Sequence, residues 1–93
     1  MAWRIEVAPS ARPTLAAMDP SLRGELIEQA AFIAEDVLAH VRRASAGDIA
    51  GAFVHEYDSR VLHNTRVQLL FSGLTLDEQR IVLVGVKTIG TAE

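Results

Sequence analysis

Two of the chain's three histidines, His55 and His63, share a short stretch with Arg60 and Arg66. Internal cleavage of RNA needs such residue types: a base for the 2′-hydroxyl proton, a cation on the phosphate and an acid for the leaving oxygen. An imidazole titrates near neutral pH and serves as either acid or base. An arginine offers phosphate a permanently charged, bidentate fork. If these four side chains gather on the open face of a sheet, they can do acid–base work on a phosphodiester. Each histidine also has a structural alternative. His55 reads as an edge-strand residue bonded to a neighbouring strand, and His63 as part of a turn or strand start. Tyr57 and Glu56 carry groups able to move protons, with packing as the other role for a strand-end tyrosine.

Other chemistries find less support. His55, Glu56, Asp58 and His63 are metal-ligand types without a metal-ligand spacing, and successive strand residues such as His55 and Glu56 face opposite sides. No metal and no cofactor is expected. Gly47 and Gly51 are isolated, and the pair Ser72-Gly73 reads as a turn, so there is neither a phosphate-cradling loop nor a nucleophile elbow. Without cysteine, disulfides and thiolate zinc sites are excluded.

Composition narrows the class of partner. The net charge is −3, and the cations are eight arginines and the single Lys87. Nucleic-acid affinity draws heavily on cations at phosphates, so this balance is poor for a general polyanion binder. A content of 49% hydrophobic residues in 93 is rich for a domain whose core is thin. Some apolar surface must remain outside, which usually marks a partner; a homodimer is one way of covering it. No stretch is long and apolar enough for a membrane span or a secretory leader, so a cytoplasmic location is expected.

The elements that would position these residues follow from periodicity. Trp3, Ile5 and Val7 alternate with Arg4 and Glu6, a period of two that predicts a half-buried strand ending at Pro9. Ser10 is a candidate N-cap for a short helix carrying Leu15 and Met18, with Pro13 in its first turn. Asp19-Pro20 restarts the helical pattern, Asp19 as cap and Pro20 at the first helical position. Leu22, Leu26, Ala30, Ile33, Val37 and Val41 recur at steps of three or four, predicting one long helix to about Ala44, stopped by Gly47. His40 falls on its surface or end, and Arg42-Arg43 would complement its dipole.

Two helices with almost no linker form a hairpin, which needs a flat apolar partner. Ala52 to Tyr57, about Val61 to Ser72 and Arg80 to Thr88 read as strands of an antiparallel meander, with a turn from Leu74 to Gln79. Thr65, Val67, Leu69 and Phe71 point one way, and Arg66, Gln68, Leu70 and Ser72 the other. In the last strand Val82, Val84 and Val86 oppose Ile81, Leu83, Gly85 and Lys87. Both of its faces are apolar, so it is central or covered on both sides.

The opening Trp3-Arg4-Ile5-Glu6-Val7-Ala8-Pro9-Ser10-Ala11-Arg12, continued by Leu15-Ala16-Ala17-Met18-Asp19-Pro20, resembles that of the RelE/ParE superfamily of toxins. Thr65-Arg66-Val67-Gln68-Leu69-Leu70-Phe71 is similar to that family's Tyr-Arg-Val-Leu-Tyr-type strand, and Arg80 to Lys87 to its closing hydrophobic strand. The resemblance covers most of the chain and rests on pattern. It implies a single α+β domain over residues 1–93: an N-terminal strand, a helical hairpin and a three-strand antiparallel meander packed on the helices.

It further implies the toxin of a type II toxin–antitoxin system, with a cognate antitoxin as partner. In the family's best-known branch the target is messenger RNA on the ribosome; a second branch inhibits DNA gyrase without nuclease residues. Arg66 matches the arginine that acts on the scissile phosphate. Lys87 falls near the basic cluster after the last strand. Arg60 and Lys87 are then substrate-binding candidates, and Arg66, His63 and His55 catalytic ones. Thr88 stands where a second basic residue is common, and no tyrosine or histidine follows before Glu93. That departure, with the negative charge, favours the alternative of a non-nuclease member, either a gyrase inhibitor or a protein-binding module.

Overall fold

The computed structural model describes residues 2–43 and 52–90. The alternating opener forms β1 (Arg4–Val7), followed by a 3-10 turn at Pro9–Ala11 and α1 (Arg12–Ala17). Ser10 lies inside that turn and Ala11 stands at the cap of α1, so Ser10 does not have its expected capping role. Asp19 does: its Oδ1 accepts the Ser21 N–H at 2.9 Å and opens α2 (Pro20–Glu35). Then come α3 (Val37–His40), β2 (Arg42–Arg43), β3 (Phe53–Asp58), β4 (Thr65–Thr75) and β5 (Arg80–Gly90). None of the described helices is long and apolar enough to cross a membrane.

The long helix is shorter than its apolar stripe suggests. It ends at Glu35, Asp36 leaves the helical conformation with φ −158° and ψ 83°, and the extended Val41 continues into the strand Arg42–Arg43. The cause is tertiary: the Trp3 N–H donates to the Ala34 carbonyl at 2.7 Å, tying the last turn of α2 to the start of β1. The stripe still works across the break, because Ile33 and Val37 are both fully buried. Arg42-Arg43 is a strand and not a helix C-terminus. Arg42 pairs with Glu56 at 3.4 Å, and the Arg43 guanidinium lies 6.0 Å from the centre of the Phe53 ring. Ala44 and Gly47, expected at the helix end, lie outside the described residues.

The strands form one sheet in the order β1-β5-β4-β3-β2. Strands β3, β4 and β5 make the expected antiparallel meander, and β1 adds to it in parallel, Ile5 opposite Ile81 and Val7 opposite Leu83. That puts β5 in the interior of the sheet, as its two apolar faces require. The helices cover one face. Leu22, Leu26, Ile33 and Val37 pack there with Val67, Leu69, Phe71, Ile81 and Leu83, and Leu15, Met18, Ile5 and Val7 complete the layer.

Two bulges alter which side chains share a face. Leu70 lies opposite Gly85 and Phe71 opposite Leu83, so Val84 is an extra residue in β5. Val82, Val84 and Val86 therefore do not share a face as strict alternation predicts; Val86 joins Ile81 and Leu83 against the helices, opposite Leu69. The second bulge is in β4, where Ser72 pairs with Val82 and Thr75 with Arg80. Gly73 sits there with φ 65°, a left-handed conformation that glycine adopts without strain. Gly73 thus lies within a strand, and the turn proper is Leu76–Gln79.

Candidate functional site

The register decides which residues meet on the face of the sheet turned away from the helices. On β3, Glu56 and Asp58 alternate with Phe53, His55 and Tyr57, and their partners on β4 are Gln68 and Arg66. Gln68 in turn lies opposite Lys87 on β5, and Arg66 opposite Ile89. Arg66, Gln68 and Lys87 are thus neighbours on this far face. Acids accompany them. Arg66 Nε donates to Asp58 Oδ1 at 3.1 Å, Gln68 Nε2 donates to Glu56 Oε2 at 3.0 Å, and Glu56 Oε1 pairs with Arg42. Gln68 is only 6% exposed, which makes it a floor to the row and its bond to Glu56 costly to break. Further along the same face Arg80 pairs with Glu6 at 3.5 Å and with Glu78 at 3.6 Å, and Arg4 pairs with Glu6.

The expected His/Arg cluster does not assemble around Arg66. His55 is opposite Leu69, whose side chain is in the core, so the imidazole lies on the helix side. Its Nδ1 faces the His40 carbonyl at 3.0 Å and its Nε2 faces Gln29 Oε1 at 3.1 Å. Both ring nitrogens are spent on joining β3 to α2 and the end of α3. The sheet separates this ring from Arg66. His40 is the last residue of α3, and its ring stacks on Phe32 with centroids 4.2 Å apart. His63 lies exposed in the β3–β4 turn, where its carbonyl accepts the Thr65 hydroxyl at 3.0 Å. It is the histidine nearest in sequence to Arg66. Tyr57 also faces the helices; its hydroxyl is buried with no hydrogen-bond partner among the described residues. Burial, and then the Glu25 carboxylate, push its pKa up to about 12, so the phenol keeps its proton at neutral pH.

The turn carrying Arg60 and His63 is shaped by α2. Glu25 accepts the Ser59 hydroxyl at 2.8 Å and the Arg60 N–H at 2.6 Å, and Ser59 Oγ accepts the Val61 and Leu62 N–H groups. One carboxylate therefore fixes the backbone of the turn. Between α2 and this turn lies a cleft of about 410 Å³, with Glu25, Glu28 and Asp58 around Arg60. Three carboxylates against one guanidinium disfavour a phosphate there. The smaller cleft, about 350 Å³, is lined by Asp58, Ser59, Asn64, Thr65 and Arg66 and opens at the Arg66 end of the far face. Among the described residues no group of three His, Asp or Glu side chains converges to hold a metal ion.

Sequence reading missed Glu25, Glu56, Asp58 and Gln68 as organisers of the site. For the two acids of β3 a signal was present. His55 is flanked at two residues on either side by Phe53 and Tyr57, which assigns it to the apolar face and its acidic neighbours to the other. Glu25 gave none, because its partners lie 34 and 35 residues away.

No protein-family model and no curated protein matches the sequence. Solved structures do resemble the fold. The chain is similar to the toxin–antitoxin complex RelBE2 from Mycobacterium tuberculosis, with TM-score 0.75 and 16% identity over 96% of this chain and all of that one. The intact RelBE toxin–antitoxin complex of E. coli gives 0.63 at 13% identity, with 99% of each chain covered. The archaeal RelE–RelB complex from Pyrococcus horikoshii gives 0.59 at 11% identity, over 99% of this chain and all of that one. The fold of this chain is thus that of the RelE-like toxins.

Proposed function

We propose that the chain is the toxin of a type II toxin–antitoxin system and that the far face of its sheet is the working surface. The observation that carries the reading is the register of β3, β4 and β5, which sets Arg66 beside Gln68 and Lys87 on the side not covered by helices. In this reading the Arg66 guanidinium takes a phosphate of messenger RNA on the ribosome, Lys87 takes a neighbouring one, and His63 supplies or removes a proton from the adjacent turn. His55 supports the sheet from the other side and has no free nitrogen for the reaction. Arg60, set among carboxylates, contributes through the turn that it shares with His63.

The cognate antitoxin is the natural partner, as in the complexes whose fold the chain shares. The outer surface of the helical layer supports this. Ile27 is 60% exposed, Phe32 49% and Leu38 58%, apolar side chains that an antitoxin segment would cover. A specific feature favours the second reading, a member that binds its target without cutting RNA. Arg66 and Arg42 on the far face each already face a carboxylate, and neither His55 nor Tyr57 lies on that side.

Induced expression in bacteria tests the two together, with total RNA examined for new ends. Growth arrest with cleavage that disappears in Arg66→Ala is the expected result for the nuclease. Arrest without cleavage transfers the assignment to the non-nuclease reading, and arrest that persists unchanged in Arg66→Ala rules Arg66 out of the site.

A further inference from the structure

We propose that Asp58 sets the specificity of the Arg66 site by acting as an internal competitor for the phosphate. The proposal rests on the reading of Arg66 as the phosphate-binding group and adds the condition under which that group becomes available. Asp58 stands directly opposite Arg66 in the β3–β4 register, with Oδ1 3.1 Å from Nε. Its side chain is 74% exposed and that of Arg66 47%, so the pair faces solvent and exchanges readily. Such a pair is weak and screened by salt.

The second acid of the strand, Glu56, lies on the same face about 7 Å along β3, two residues at the strand rise. It is held there by Gln68 and Arg42. A phosphate approaching Arg66 thus meets one carboxylate in its place and another one row away. Lys87, opposite Gln68, has no acidic partner among the described residues. A single phosphate gains little against this arrangement. A single-stranded RNA that presents successive phosphates to Arg66 and Lys87 together displaces the Asp58 carboxylate, and RNA held in place by a larger assembly does so most easily. The acid therefore selects against free, diffusing polyanions.

Binding of a short fluorescent single-stranded RNA, followed by anisotropy at low salt, tests this without reference to toxicity. Asp58→Asn keeps the size of the side chain and removes the competing charge. It should bind about fivefold tighter than the natural chain, the worth of one ion pair at contact distance in water that the phosphate no longer has to displace from Arg66. The gain should shrink as salt is raised. Asp77→Asn, in the exposed turn at the other end of the β4–β5 hairpin, changes the net charge equally and should leave affinity unchanged. In Asp58→Asn combined with Arg66→Ala the gain should vanish.

An Asp58→Asn gain that survives loss of Arg66, or that Asp77→Asn reproduces, overturns the proposal by reducing it to net charge. So does an Asp58→Asn chain that binds no tighter, or not measurably. If Arg66→Ala weakens binding in the natural chain while Asp58→Asn changes nothing, Arg66 keeps its role and only the competitor is lost. If Arg66→Ala is silent in both backgrounds, the reading of Arg66 falls as well.

Discussion

At the scale of single residues, the helix side of the sheet holds polar groups whose value is structural, and Tyr57 is the one that can be read directly. It is the only tyrosine, so its titration is assignable from tyrosinate absorbance alone. Burial and the Glu25 carboxylate raise its pKa from 10.0 to about 12. The sign is that of an acid held neutral by the fold. Stability from the uncharged ring is complete below pH 10 and is lost as pH rises from there towards 12. Tyr57→Phe should abolish this alkaline loss in thermal melts. Because the hydroxyl is buried with no hydrogen-bond partner among the described residues, the same substitution should leave stability at pH 7 unchanged or raise it by up to about 1 kcal/mol. His55 shows how far a residue type can mislead. A histidine near arginines suggests proton transfer, yet its place between Phe53 and Tyr57 in a strand already assigned it to the covered face. Arg66 was legible for the same reason, since it alternates with Thr65 and Val67, and Val67 is core. Its neutralisation by Asp58 was not, because residues eight apart in sequence become partners only once the β3–β4 register is known.

At the scale of elements, alternation and helical spacing located the strands and helices, and the larger failures come from contacts between elements. The apolar stripe of α2 runs on past Glu35 because burial continues through Val37, and only the bond from Trp3 to Ala34 shows where the helix stops. The faces of β5 were misassigned because one extra residue, Val84, reverses the phase halfway along the strand. The bulge of β4 is more predictable in its energetics. A Cβ added at Gly73 would meet Val82 Cγ2 at 3.4 Å, a distance of near-ordinary contact, so the cost of Gly73→Ala lies mainly in its φ of 65°. Loss of about 1–2 kcal/mol is expected by chemical denaturation. Gly85→Ala offers the comparison: its added Cβ would also lie 3.4 Å from a side chain, here Leu70, but at an ordinary φ. It should cost less.

At the scale of the whole molecule, the two faces of the sheet divide the work. One is closed by the helices around Ile33, Leu69, Phe71 and Ile81, each fully buried, and the other carries the row of charges. The plane between them explains why His55 and Arg66, near in sequence, do not share a site. Strand β1 is held in the sheet by β5, through the parallel pairing of residues 4–7 with residues 80–83. A chain ending at Gln79, which lacks β5, should therefore fail to fold cooperatively, as circular dichroism can check. The pairing has a consequence for synthesis. Strand β1 has no sheet partner until residues 80–83 have left the ribosome. The far-face row of Asp58, Arg66, Gln68 and Lys87 is likewise completed only by β5. A nascent chain that has not yet released β5 therefore carries neither the closed sheet nor the finished row of charges.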